Sequence, residues 1–141
     1  MTDTEVAERK GRYRAGSFYL FSALSLATLW LSMTRPDDHF LRGLWTGLTF
    51  AAAANLLPLA RWLKPRNAVA QLLDDDGVRE HRRKSCTAGF WTAVATSMVV
   101  AIAAEADAPV TAFDAVRLVA TAAIAFALTS FATLELRAAR G

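Results

Sequence analysis

Few residues in this chain could carry chemistry: two histidines, three lysines, one cysteine and thirteen acidic side chains. Haem held between helices needs histidines within apolar segments, yet His39 and His81 both stand in polar stretches. A retinal-type Schiff base needs a desolvated lysine, whereas Lys10, Lys64 and Lys84 lie in or beside basic runs. Proton-coupled exchange across a membrane wants a carboxylate inside it. Only Asp114, with Arg117 three residues on, comes close. Asp37, Asp38 and His39 offer ligand atoms for a divalent cation, but three adjacent residues fall short of a coordination shell, and a loop cap is their expected role. Cys86, beside Arg83 and Lys84, is open to acylation but is expected to be a structural thiol. No nucleophile–base–orienter set and no phosphate loop is visible. These patterns point away from an enzyme and imply neither cofactor nor metal.

The apolar segments dominate the rest of the sequence. Hydrophobic residues make up 54% of the 141 positions against 21% charged, and the charges are segregated between long apolar blocks. Crossing hydrocarbon takes roughly 20 apolar residues in a helix that satisfies its own backbone. Four such spans are expected, at about 15–33, 41–63, 86–104 and 110–136, within a single domain over 1–141. The competing reading is four core helices of a soluble bundle. Those would carry a charged stripe at helical spacing, and the first and third blocks hold no charged residue. The polar start and the further blocks behind the first favour an anchor over a cleaved signal peptide.

Lys and Arg placement sets the orientation. Thirteen of the sixteen fall in the N-terminal tail (Arg9, Lys10, Arg12, Arg14), the middle loop with its edges (Arg61, Lys64, Arg66, Arg79, Arg82, Arg83, Lys84) and the C-terminal tail (Arg137, Arg140). Only Arg35, Arg42 and Arg117 fall on the other side. Both termini are therefore expected in the cytoplasm, of a plasma or inner membrane. The net charge of +3 thus reflects topology and gives no reason to expect nucleic acid as a partner.

Helices in lipid associate through small residues and interhelical hydrogen bonds. Four faces with that spacing are expected to turn inward: Gly43, Gly47, Ala51 and Asn55; Gly89, Ala93, Ser97 and Ala101; Thr121, Ala125, Thr129 and Thr133; and Ser22, Ser25, Thr28 and Ser32. Asn55 is the most polar side chain deep in a span. It suits a polar point on a transport path less well than a helix-to-helix bond or a bond to a backbone carbonyl loosened by Pro58. Asp114 and Arg117 share a helix face near the outer end of the fourth span, where snorkelling to water is expected. Trp30, Trp45, Trp62 and Trp91 suit an interfacial belt.

The middle loop has the most varied composition. Asn67 is placed to cap a short helix through Leu73, and Asp74, Asp75, Asp76 and Gly77 make a turn. From Val78 the basic run is expected to continue as helix into the third span. Arg79, Arg82, Arg83 and Lys84 would attract anionic lipid headgroups at about 1 kcal/mol each near the surface, or offer a docking surface to a protein.

The stretch LDDDGVREHRRKSCTAGFWTAVATSMVVA, 73–101, and the tail AVRLVATAAIAFALTSFATLELRAA resemble small multi-span bacterial inner-membrane proteins of uncharacterised function. In these an acidic turn leads through basic residues into an A-x-x-x-GFW helix, and the last helix ends on a Leu-Glu-Arg-like motif. The resemblance implies an all-α four-helix bundle and supplies no activity.

The sequence thus favours a non-enzymatic membrane protein acting by association, as an accessory or regulatory subunit or with a second copy of itself. The alternative is a small transporter or channel subunit resting on Asn55, Asp114 and Arg117. The topology is directly testable: a reporter fused after Gly141 is expected to be active in the cytoplasm, and activity only outside would refute it.

Overall fold

The computed structural model describes residues 3–35, 37–56, 76–106 and 108–138, and all regular structure among them is helical. Four helices follow in chain order: α1 (Asp3–Thr34), α2 (His39–Leu56), α3 (Asp76–Glu105) and α4 (Ala112–Ala138). The predicted close of the second span and most of the middle loop, including the Asn67 cap, lie outside the described residues. α3 starts at Asp76, so the basic run is its first turns.

Local chemistry accounts for two of the helix starts. Asp38 Oδ1 accepts from the backbone N–H of Phe40 at 2.9 Å and of Leu41 at 3.2 Å, capping α2. At α4 the Thr111 hydroxyl accepts from the Asp114 N–H at 3.1 Å and donates to the Asp114 carboxylate at 2.6 Å. The Thr111 hydroxyl thus caps the start of α4 and is itself held by the Asp114 carboxylate.

α4 is the centre of the assembly, touching α1, α2 and α3, while α1 also packs on α2. α1 and α4 are antiparallel: Tyr19 reaches Thr133 and Ser22 reaches Thr129. α3 is antiparallel to α4 as well, with His81 near Glu135 and Gly89 near Ala123 and Ala127. The start of α1 and the end of α4 therefore share one end of the bundle.

The burial pattern departs from that of a water-soluble bundle. Ser22, Ser25, Thr28, Ser32 and Thr121 are buried, whereas Trp30 is 71% exposed and Phe50, Phe90, Met98 and Ile102 are likewise turned outward. A soluble fold hides its large apolar side chains first. Buried hydroxyls together with many large apolar side chains turned outward suit hydrocarbon as the solvent. Three helical segments, Gly11–Thr34, Gly77–Glu105 and Ala112–Ala138, are long and apolar enough to cross a bilayer. The described part of α2 has 18 residues, about 27 Å of helix, and is not among them.

Of the four small-residue faces, those of α1 and α4 meet other helices, that of α3 does so in part, and that of α2 does not. Gly89 is buried, and a Cβ there would come within 2.9 Å of both the Ala123 carbonyl and the Ala127 Cβ. Further along that face Ala93 is half-buried and Ser97 exposed, as α3 emerges from its contact with α4. On α2 the expectation of an inward face is corrected. Gly43, Gly47, Ala51 and Asn55 are all exposed, and a Cβ on either glycine would meet nothing within 4 Å. The reason is that α2 presents Trp45 and Ala52 to its neighbours instead, which rotates the glycine face outward. Gly89→Leu is accordingly expected to destabilise the detergent-extracted protein by about 1–3 kcal/mol through overpacking. Gly43→Leu with Gly47→Leu should leave its thermal midpoint nearly unchanged. Equal losses in the two variants would contradict this assignment.

Candidate functional site

Polar side chains gather at both ends of the bundle. At the end shared by the start of α1 and the end of α4, the Glu135 carboxylate is only 9% exposed and accepts a short hydrogen bond from Arg14 of α1. His81 of α3 places Nδ1 at 3.6 Å from the other carboxylate oxygen, too far for a hydrogen bond but close enough for charge attraction once the imidazole is protonated. Glu135 therefore links three helices. The apolar floor of this cluster is equally specific. Arg14 lies 5.3 Å over the Phe131 ring, and Phe131 meets Phe18 with ring centroids 5.2 Å apart.

Beyond the cluster the basic run is largely solvated. Arg83 and Lys84 are exposed and share Glu80 as partner at 3.3 and 3.5 Å, an arrangement worth little in water. Arg79 is exposed, Arg82 half-buried, and Cys86 exposed one turn further along α3.

At the opposite end Arg117 is buried, with 2% of its surface accessible. This corrects the expectation that it snorkels to water. Its guanidinium lies between two rings, 5.1 Å from Trp45 and 5.0 Å from Phe113. Asp114 Oδ1 stands 3.9 Å from Nη1, so the Asp114–Arg117 pairing is real but long. Trp45 is correspondingly no lipid-facing anchor: it is buried and its indole N–H donates to Thr121 Oγ1 at 2.8 Å. Arg42 of α2 flanks the same Phe113 ring at 6.0 Å.

Between the two ends runs a hydroxyl seam. Ser22 donates to the Ala125 carbonyl at 3.2 Å and shares a bond with Thr129 at 3.1 Å, while Tyr19 and Thr133 meet at 2.8 Å. Thr28 and Ser32 return their protons to carbonyls of their own helix. Asn55 does the same, Nδ2 donating to Ala51 at 2.7 Å, and it faces outward, away from any interior path.

Glu135 and Trp45 are the residues that sequence reasoning missed as site formers. Glu135 had a signal: it is an acid one turn inside the end of an apolar block that faces basic residues on two other segments. Trp45 had none, because the chemistry that holds it inward comes from Thr121, 76 residues away. Among the described residues no three His, Cys, Asp or Glu side chains are grouped to hold a metal ion. Comparison with known proteins returns no matching family model, curated protein or solved structure.

Removing one member of a buried charge pair strands the other. Glu135→Gln or Arg14→Met should destabilise the protein by about 3 kcal/mol, the low end for buried pairs because Arg14 is partly exposed. The double variant should lose clearly less than the sum, measured by denaturation in mixed micelles. Strict additivity would show that the two side chains do not interact.

Proposed function

We propose that this chain is a four-span protein of a bacterial inner membrane, with both ends in the cytoplasm, that works by association within the bilayer and not by catalysis. Its role is that of an accessory or regulatory subunit, or of a protomer joined to further copies of itself. The observation that carries this reading is the position of α3. That helix packs along one side against α4 and leaves Phe90, Trp91, Met98, Val99 and Ile102 facing outward. The outward glycine face of α2 adds a second surface on which another helix could approach closely. Arg79, Arg82, Arg83 and Lys84, at the head of α3, would hold that helix against anionic headgroups on the cytoplasmic side.

One observation favours the second reading, a small transporter or channel subunit: the Arg117 charge is held inside the bundle and not at its surface. Flux of inorganic anions into proteoliposomes, abolished by Arg117→Met, would favour it.

Cys86 gives a direct test, being the single cysteine and exposed near the head of α3. A short heterobifunctional crosslinker on Cys86, applied in native membranes at near-native expression, is expected to capture a second copy or another membrane protein, identified by mass spectrometry. Recovery of uncrosslinked monomer alone would remove the support for association.

A further inference from the structure

We propose that the end of the bundle opposite the chain termini holds a binding site for a phosphate-bearing anion, formed by Arg117 with Arg42. The central observation is an unmet hydrogen-bonding capacity. Arg117 is buried, yet its Nε and Nη2 are enclosed and have no hydrogen-bond partner. A guanidinium has five N–H donors, and leaving a charged donor unmet in a desolvated place is expensive. Nε and Nη2 are also the two nitrogens that lie side by side on one edge of the guanidinium. Together they make the fork that takes two oxygens of one oxyanion.

Asp114 does not fill this role. It lies on the Nη1 side at 3.9 Å, and its other oxygen accepts from the capping Thr111 hydroxyl at 2.6 Å. Two guanidiniums, Arg42 and Arg117, lie against the same Phe113 ring, at 6.0 and 5.0 Å from its centroid.

The helix directions also favour an anion. α2 and α4 run parallel, since Trp45 meets Thr121 one way along and Ala52 joins Leu128 further on. Their N-termini thus share this end, with Arg42 and Arg117 in the first two turns of each. Cations there oppose the helix dipole, whereas an anion is favoured by it. Phosphate matches this geometry: a tetrahedral anion with several oxygens can engage both guanidiniums at once. Phe113, 52% exposed, covers the guanidinium and is the side chain that turns aside to admit the anion.

A phospholipid headgroup or free phosphate would satisfy the same groups, and the two are separable. The full-length protein, delipidated in detergent, is titrated in one arm with phosphatidylglycerol and in another with inorganic phosphate at constant ionic strength. Bound lipid is counted by native mass spectrometry and phosphate binding is followed by 31P line broadening. Arg117→Lys keeps the charge and removes the fork; Arg42→Gln is the second variant, and Arg83→Gln with Lys84→Gln controls for lipid held at the basic run. Binding in the lipid arm, weakened roughly tenfold by Arg117→Lys and by Arg42→Gln but not by the control, supports a headgroup site. The same pattern in the phosphate arm alone supports a site for the free anion. No binding in either arm, or binding that both Arg117→Lys and Arg42→Gln leave unchanged, overturns the proposal. If Arg117→Lys does not fold, Arg42→Gln decides.

Discussion

Hydrocarbon offers no hydrogen bonds, so every polar side chain within a membrane helix must find its partner on protein. In this chain many hydroxyls bond within their own helix, and the side-chain hydrogen bonds between helices described above all end on α4. One face of it, through Ala125, Thr129 and Thr133, receives the hydroxyls of α1. Thr121 receives the α2 indole, and the stretch about Ala123 and Ala127 lets α3 approach so closely that no side chain fits at Gly89. Without α4, α3 would lose its main contact with the bundle, and α1 would keep mainly its packing on α2. Individual membrane hydrogen bonds are weak, averaging about 0.6 kcal/mol, so the seam holds through several bonds and close packing together.

The two ends of α4 meet charge in opposite ways. At one end a carboxylate is neutralised across helices by Arg14, with His81 Nδ1 3.6 Å from its other oxygen. At the other end a guanidinium is enclosed by aromatic faces with a carboxylate only loosely opposite. Ring faces attract a cation but offer no acceptor for its edge N–H groups. The first end is a closed structural contact; the second has capacity left over.

Helical content, the location of the apolar segments and the hydroxyl faces of α1 and α4 could be read from the sequence because each depends on local spacing. Thr121, Ala125, Thr129 and Thr133 fall four apart whichever helix lies opposite. Spacing does not say which of two suitable faces is used. α2 has a glycine face and a face with Trp45 and Ala52, and the latter is inward because the indole has Thr121 to bond. Arg117 was misplaced for a related reason. Near a helix end an arginine can reach water or turn inward, and the choice depended on Trp45 and Phe113, whose positions no local pattern encodes. Glu135 joined Arg14 across 121 residues, a pairing visible only once α1 and α4 are laid antiparallel.

The seam between α1 and α4 is the claim on which the rest stands, and paired cysteines test it most directly. Ser22 and Thr129 place their oxygens 3.1 Å apart. In a Cys86→Ser background, Ser22→Cys with Thr129→Cys should form an intramolecular disulfide in native membranes on mild oxidation, while Gly47→Cys with Thr129→Cys should not. Failure of the first pair to close, or closure of the second in its place, would contradict the arrangement of helices described.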